Sequence, residues 1–302
     1  MHRSLLEVLC CPRCRGRLAV VEGTGREELA EGTLGCSACG QQFEVEEGIP
    51  VLGDREFMAQ VCDRWLDGML TQELYRSNIE NSRGWYSESE GFAELVDAAA
   101  ATQGVVVDVA TGPRGSLAGA LVPRFSERTH FVMSDAAVHM LKGLKNAWSR
   151  ERHRARVDFL ACDGNRMPFC DEALDAITSR DGFACANDDP TRSRPPTVGP
   201  AYREGHRALK PGGRVFDVCT VYAPGSKTEE YLQSLGCENA SRQRLEAFLG
   251  SIGFEVTAAR ELHRGRGKSD PGDGLPIDEN DEWAVVAYVL RKVGAGLASG
   301  RR

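Results

Sequence analysis

The sequence predicts an α/β protein, in which a mostly parallel sheet carries helices on both faces and follows a small ribbon. Two observations lead to this prediction. From residue 104 onward, apolar strand patterns alternate with helical patterns, which is typical of a parallel sheet between two helical layers. Within the first 40 residues, four cysteines form two Cys-x-x-Cys pairs, the spacing of a tetrahedral metal site.

The two cysteine pairs are Cys11 with Cys14 and Cys36 with Cys39. Four thiolates complete the shell of a Zn²⁺ ion, and each tight turn directs both of its sulfurs at one ion. A ribbon of about 50 residues buries too little core to be stable alone, so a bound metal contributes to its stability. We therefore expect one structural Zn²⁺ per chain at these cysteines, with the neighbouring Cys10 outside the ligand set.

Two segments of the ribbon carry a family resemblance. The Cys-Pro-x-Cys turn at residues 11–14 and the Gly-Ile-Pro-Val-Leu strand at residues 48–52 resemble the Trm112-like zinc-ribbon family. Members of that family bind methyltransferases and stabilise them. The resemblance therefore implies that this ribbon is a scaffold for a neighbouring domain.

Length and composition narrow the class of protein. The chain has 302 residues, of which 41% are hydrophobic and 27% charged, as in a soluble protein with one larger and one small domain. No apolar run approaches the roughly 18 residues of a transmembrane helix, and the first residues lack the pattern of a signal peptide. The remaining seven of the 11 cysteines are scattered without a pairing pattern, so we expect reduced thiols in the cytoplasm.

The charge pattern bears on possible partners. The net charge of −7 argues against nonspecific binding to nucleic acid, which depends on neutralising phosphates. Three arginines nevertheless cluster on the ribbon, namely Arg13, Arg15 and Arg17. RNA therefore stays open as a partner, beside a small-molecule substrate, and no membrane partner is expected.

The chain divides into four predicted segments: a ribbon at 1–53, a helical linker or cap at 54–103, an α/β domain at 104–292 and a flexible tail at 293–302. The predicted strands of the α/β domain are 105–109, 129–134, 157–162, 174–179, 214–219, 254–259 and 282–290. Predicted helices cover 117–123, 138–150, 202–209 and 241–252. Residues 264–281 are rich in Gly, Asp and Pro and are expected to form a loop.

The first predicted strand of the α/β domain runs into a glycine turn. Asp108 is the last residue but one of this strand, and Gly112 and Gly115 follow in the turn. Such a turn lets the backbone approach a bound cofactor closely. The next strand ends at Asp135, about 20 residues farther on, where a carboxylate can accept hydrogen bonds from ribose hydroxyls. These features alone fit NAD, FAD or S-adenosylmethionine.

Three further segments, at residues 135–141, 161–177 and 204–215, resemble the class I S-adenosylmethionine-dependent methyltransferases. They include Asp-Ala-Ala-Val-His-Met-Leu, Met-Pro-Phe followed by an acidic turn, and Leu-Lys-Pro-Gly-Gly. With the glycine turn they stand in the family's order and cover roughly residues 100–290. The resemblance implies a Rossmann-like, seven-stranded, mostly parallel α/β sheet and S-adenosyl-L-methionine as methyl donor.

The resemblance also implies roles for individual residues. The glycine turn would face the methionyl part of the cofactor, the end of the second strand its ribose, and the end of the third its adenine. The residues assigned to the cofactor in this way are Asp108, Ala110, Gly112, Gly115, Asp135, Ala136, Asp163, Gly164 and Arg180.

Asp181 follows the fourth strand, where cofactor and substrate meet, and is the candidate catalytic residue. Other candidate bases are Asp188, Asp189, His206 and Tyr222. The turn departs from the family pattern at two positions, because Ala110 replaces the first glycine and Arg114 replaces the third.

The acidic pI of about 5.5 favours direct methyl transfer to a small-molecule acceptor. Two alternatives stay open at this point. One is an rRNA or tRNA base methyltransferase that holds RNA with the ribbon. The other is a catalytically degenerate interaction module, in which Arg114 prevents the cofactor from binding.

Overall fold

The computed structural model describes residues 1–60, 87–112, 116–148, 153–185, 197–267 and 277–293. Within these residues, 11 strands form one continuous sheet. The segments 61–86 and 186–196 lie outside the described residues. None of the helices in the described part is long and apolar enough to span a membrane.

The ribbon begins with a 3-10 helix, Arg3–Glu7, and continues as an antiparallel four-stranded meander. Its strands are β1 (Leu18–Gly23), β2 (Gly32–Cys36), β3 (Gln42–Glu46) and β4 (Ile49–Leu52). All four residues of β4 are buried, whereas β1 and β3 have exposed positions. This burial shows that β4 is an interior strand rather than an edge of the ribbon.

The second part of the chain alternates strands and helices, as the sequence predicts. Its strands are β5 (Gly104–Val109), β6 (Thr129–Asp135), β7 (Arg156–Cys162), β8 (Leu174–Arg180), β9 (Leu209–Tyr222), β10 (Phe254–Arg266) and β11 (Glu282–Lys292). The helices are α1 (Glu90–Ala100), α2 (Ser116–Leu121), α3 (Val138–Trp148), α4 (Gly182–Cys185), α5 (Gly199–Ala208), α6 (Lys227–Ser234) and α7 (Arg242–Ser251).

These seven strands have the order β7-β6-β5-β8-β9-β11-β10. The strands from β7 to β9 are parallel, and β11 runs antiparallel to both of its neighbours. The order reverses between β5 and β8, which places the topological switch point there. On β5, Val107 and Val109 face one apolar core and Val106 faces the other, as expected for a strand buried on both faces.

The ribbon and the α/β domain share one sheet. Strand β4 pairs in parallel with β7, Val51 opposite Ala161 and Leu52 opposite Cys162. The predicted seven-stranded sheet is therefore extended by four ribbon strands at its β7 edge. The pairing covers an edge that would otherwise expose unpaired backbone groups.

Two strands, β9 and β10, differ most from their predicted bounds. Strand β10 continues to Arg266, which pairs with Glu282 of β11, so the ladder occupies the start of the predicted 264–281 loop. Strand β9 begins at Leu209, the last residue of the predicted helix 202–209, and not at the predicted residue 214. Its ladder with β8 is irregular at the start, because Leu209 pairs with Leu174 but the next pair is Arg214 with Ala176.

One carboxyl group is fully buried within β9. Asp217 has no exposed surface, and the hydroxyl of Tyr202 in α5 donates a hydrogen bond of 2.5 Å to its Oδ2 atom. Burial raises the pKa of Asp217 from 3.8 to about 7. The folded protein therefore keeps a proton that the unfolded chain has already released at mildly acidic pH.

Replacing this carboxyl should change how stability depends on pH. The free energy of unfolding of the wild type should fall as pH rises from about 4 to about 7, because only the unfolded state is fully ionised in that range. Relative to wild type, the Asp217→Asn variant should gain about 2 kcal/mol between about pH 5 and about pH 8. Urea unfolding at several pH values measures this difference. The exposed Asp97→Asn change on α1 is the control, and a pH-independent difference for Asp217→Asn would contradict the assignment.

Candidate active site and metal site

The four cysteines of the two pairs converge on one point of the ribbon. Their sulfur atoms all lie within 4.8 Å of one another, with Cys11 and Cys39 at 3.8 Å and Cys14 and Cys36 at 3.5 Å. Sulfurs bound to Zn²⁺ at about 2.3 Å in a tetrahedron lie about 3.8 Å apart. The sulfur positions therefore fit a structural zinc ion.

The backbone around the cysteines also suits a metal. A Cβ atom at Gly16 would lie 2.8 Å from the sulfur of Cys36 and 3.3 Å from that of Cys14, so only glycine leaves room there. This close approach of the backbone to two of the sulfurs supports a closed four-thiolate shell.

The glycine turn after β5 and the end of β6 are hydrogen bonded to each other. Asp135 Oδ2 accepts the backbone N–H of Gly112 at 2.9 Å, and its Oδ1 accepts that of Ala137 at 2.9 Å. Burial raises the pKa of Asp135. Each carboxylate oxygen can accept a second hydrogen bond, so Asp135 can hold the turn and still receive ribose hydroxyls.

Asp108 lies beneath this turn rather than in front of it. Its side chain is buried, and Thr178 of β8 donates a hydrogen bond of 2.6 Å to Oδ1. Burial raises the pKa of Asp108 to about 6. Asp108 thus links β5 to β8 just before the glycine turn begins.

Two non-glycine residues have left-handed backbone conformations at the switch point. Ala110, after β5, has φ = 48°, and Asp181, after β8, has φ = 52°. Each conformation costs about 1 kcal/mol for a residue with a Cβ atom. The N–H of Asp181 donates to Val218 at 2.7 Å, and its Oδ1 accepts the N–H of Thr220 at 3.0 Å. These bonds to β9 fix the carboxylate beside the half-buried Arg180.

Asp163 follows β7 and caps a 3-10 helix that begins at Gly164. Its carboxylate accepts the N–H of Asn165 at 2.9 Å. A cavity of about 600 Å³ opens beside it, lined by both parts of the protein. The lining residues include Asp163 and Arg166 of the α/β domain, Leu52 and Gly53 at the end of β4, and Pro12, Arg13 and Phe43 of the ribbon.

The spacing of the cysteines alone did not predict that the ribbon lines this cavity. Cysteine patterns identify the ribbon, but they contain no information about which strand of the other domain it pairs with. The apolar segment Ile49–Leu52, which is fully buried, was the one signal that a partner strand exists.

Arg15 connects the first cysteine pair to the loop that follows Asp163. Its guanidinium donates to the carbonyl of Met167 at 2.6 Å and to Glu204 at 2.7 Å. Arg207 donates to the same carbonyl at 3.1 Å and to both oxygens of Glu204 at 3.1 and 3.0 Å. Arg15 adopts φ = 63° to make these bonds. One of the three ribbon arginines is thus committed to an intramolecular network.

The other residues that the sequence suggested for the site lie in different surroundings. His206 packs its ring edge against Phe254, and burial lowers its pKa, so it is part of the helix packing. Tyr222 ends β9, at the same end of the parallel strands as Asp181. Gly115, Arg114, Asp188 and Asp189 lie outside the described residues.

Two protein families match the chain. Residues 106–213 match the methyltransferase domain family Methyltransf_25, and residues 2–48 match the Trm112p-like protein family. The chain contains a class I S-adenosylmethionine-dependent methyltransferase domain and an N-terminal Trm112-like domain. Both resemblances seen in the sequence are thereby confirmed. Enzymes of this class take S-adenosylmethionine as the methyl donor, and the four cysteines fit a structural Zn²⁺.

Curated relatives resemble the two parts separately. The ubiquinone/menaquinone biosynthesis C-methyltransferase UbiE of Desulfotalea psychrophila is 30% identical over 180 residues, which are 55% of this chain and 66% of that protein. The same enzyme of Xylella fastidiosa is 25% identical over 185 residues, covering 53% and 69%. A UPF0434 protein of Stutzerimonas stutzeri is 37% identical over 67 residues, which are 22% of this chain and 98% of that protein. This methyltransferase thus spans about two thirds of the length of the C-methyltransferases that it resembles.

Solved structures also match the chain at low sequence identity. Geranyl diphosphate C-methyltransferase from Streptomyces coelicolor is 17% identical with a TM-score of 0.48, covering 67% of this chain and 75% of that one. The Haloferax volcanii complex containing the Trm112 methyltransferase activator gives 17% identity and a TM-score of 0.46, covering 79% and 98%. Likeness at this level says nothing about the substrate.

The cysteine site makes a direct prediction. Replacing Cys39 by Ser should remove the zinc ion held by the four thiolates and lower the thermal midpoint, because the ribbon depends on the metal for stability. Metal analysis of the purified chain, together with thermal unfolding, measures both effects. Cys10→Ala is the matched control and should keep the ion, since Cys10 is not among the converging sulfurs. Full zinc content in Cys39→Ser would exclude this ligand set.

Proposed function

We propose that this methyltransferase transfers a methyl group from S-adenosylmethionine to a small organic acceptor, with carbon as the acceptor atom. The observation that carries the proposal is the switch point, where Ala110 and Asp181 adopt strained conformations directly after two adjacent strands. Backbone strain of this kind persists where the surrounding structure enforces it, often at active sites. The names of the curated relatives, which are C-methyltransferases, support carbon as the acceptor atom.

In this proposal, residues 104–292 bind the cofactor across the ends of the parallel strands. The turn from Ala110 through Gly112 to Gly115 would receive the methionyl part above the buried Asp108. Asp135 and Ala136 would hold the ribose, Asp163 and Gly164 the adenine, and Arg180 would lie toward the carboxylate end. A cavity of about 600 Å³ beside Asp163 lies within the usual range for small-ligand sites, which supports the placement of the adenine end.

The chemistry requires positioning more than acid or base strength. When bound, the donor supplies an already activated methyl group, so the chain must align an acceptor in line with it and keep water away. As the new carbon–carbon bond forms and the carbon–sulfur bond breaks, a carbon acceptor is left with a proton to lose. Asp181, whose carboxylate is fixed by the Thr220 N–H, is proposed to accept that proton.

The charge and contacts of the ribbon support a small acceptor over RNA. Arg15 is bound to Glu204 and Met167, and Arg55, just beyond β4, pairs with Glu44 and Glu46. These cations are neutralised within the molecule, on a chain whose net charge is −7. Residues 1–53 are accordingly proposed to support the catalytic domain within the same chain.

Cofactor binding can be tested at two carboxylates. Asp163→Ala and Asp135→Ala should each weaken binding of S-adenosylmethionine by roughly tenfold to a hundredfold, because each removes a hydrogen-bond acceptor from the site. Isothermal titration calorimetry measures the affinities. Asp97→Ala, an exposed change on α1, should bind as the wild type does. Unchanged affinity in both site variants would refute the assignment of the cofactor site.

The acceptor can be identified with labelled donor. The chain should transfer a labelled methyl group from S-adenosylmethionine into the small-metabolite fraction of an extract, and mass analysis of that product should show methylation at carbon. Asp181→Asn should lower turnover by tenfold or more while retaining cofactor affinity. Ribonuclease-sensitive label would overturn the small-molecule proposal and return attention to Arg13 and Arg17.

A further inference from the structure

We propose that His2, His130 and Asp158 form a second metal site, which takes Zn²⁺ and fastens the ribbon to the α/β domain. His2 precedes the first 3-10 helix of the ribbon, and the other two residues lie on the neighbouring strands β6 and β7. His130 is near the start of β6, so this cluster is at the end of the sheet opposite the cofactor site. It is also separate from the four cysteines.

The candidate ligand atoms have nearly the spacing of a metal shell. Asp158 Oδ2 lies 2.7 Å from His130 Nε2 and 3.2 Å from His2 Nδ1, and one ligand atom from each of the three residues lies within 4.8 Å of the others. Nitrogen and oxygen ligands at about 2.0–2.1 Å from a tetrahedral Zn²⁺ are about 3.3 Å apart. A small outward shift of His130 would therefore complete three corners of a tetrahedron, and water would supply the fourth.

The orientation of His2 indicates that a cation belongs between these groups. Its Nε2 atom is 3.2 Å from Glu28 Oε1, the contact that a metal-bound histidine makes with a second carboxylate. With the proton on Nε2, the lone pair of Nδ1 faces the Asp158 carboxylate. Nδ1 is buried and has no aligned hydrogen-bond partner among the described residues. In that tautomer two acceptors meet at 3.2 Å, a separation that a shared cation would stabilise.

The surroundings hold the ligands in place and balance the charge. The backbone N–H of His2 donates to Asp158 Oδ1 at 2.9 Å, and the Met1 ammonium donates to the carbonyl of Leu29 at 2.7 Å. Asp158 is only 3% exposed, so its charge is poorly compensated by water. One divalent ion would neutralise Asp158 together with Glu28. Imidazole and carboxylate ligands suit Zn²⁺.

Metal content of the full-length chain tests this site. After saturation with zinc and removal of free metal, the wild type should hold two ions per chain, and Cys39→Ser should hold one. His130→Gln should also hold one, although glutamine can still donate a hydrogen bond to Asp158. His206→Ala changes a half-buried histidine outside the cluster; it is the matched control and should hold two.

Cobalt substitution distinguishes the two sites and does not depend on any variant folding well. The first equivalent of Co²⁺ should give the thiolate charge-transfer absorption of the cysteine site. The second should add visible bands without thiolate character and raise the thermal midpoint of the wild type. Asp158→Asn should abolish only the second phase. Saturation of the wild type at one ion, with no second spectral phase, would overturn the proposal and leave a protonated His–Asp–His hydrogen-bonded cluster.

Discussion

The parallel pairing of β4 with β7 is the interaction on which the rest of the structure depends. It joins a ribbon with little core of its own to the edge of a large sheet, and it buries Val51 and Leu52. Full burial of such side chains contributes about 1.5–3 kcal/mol each. Because the pairing is parallel, the end of β4 arrives at the same edge as the end of β7. Gly53 therefore comes to lie beside Asp163, and the ribbon becomes a wall of the adjacent cavity.

A second connection links the metal turn to the cofactor side of the domain. Arg15 comes directly after the first cysteine pair and binds the carbonyl of Met167 and the carboxylate of Glu204. A Zn²⁺ ion bound by the cysteines would restrain the turn that precedes Arg15. Through Arg15 it would also restrain the loop that starts at Asp163. The proposed histidine and aspartate site would add a third connection at the other end of the same strands. Together these contacts explain why a Trm112-like domain and a methyltransferase domain behave as one sheet.

Strained backbone and buried carboxyl groups at the centre of the sheet reduce the stability of the folded protein. Ala110 and Asp181 carry strained backbone conformations, and two buried carboxyl groups beneath them, Asp108 and Asp217, have pKa values raised by burial to about 6 and about 7. Apolar residues would fit these positions at lower cost. Strained backbone and buried carboxyl groups at a topological switch point are typical of a functional site.

Short sequence patterns were sufficient to predict much of the fold and of the metal site. Cysteine spacing identified the metal ligands, and alternating apolar segments identified the strands, because thiolate geometry and strand burial act over a few residues. The order of motifs around Asp135 and Asp163 identified the methyltransferase. The tertiary structure decided what depends on contacts between distant residues: that β4 pairs with β7, that Arg15 binds Glu204, and that His2 meets His130 and Asp158. Each of these joins positions more than 100 residues apart, and one sequence has no pattern that specifies such a pairing.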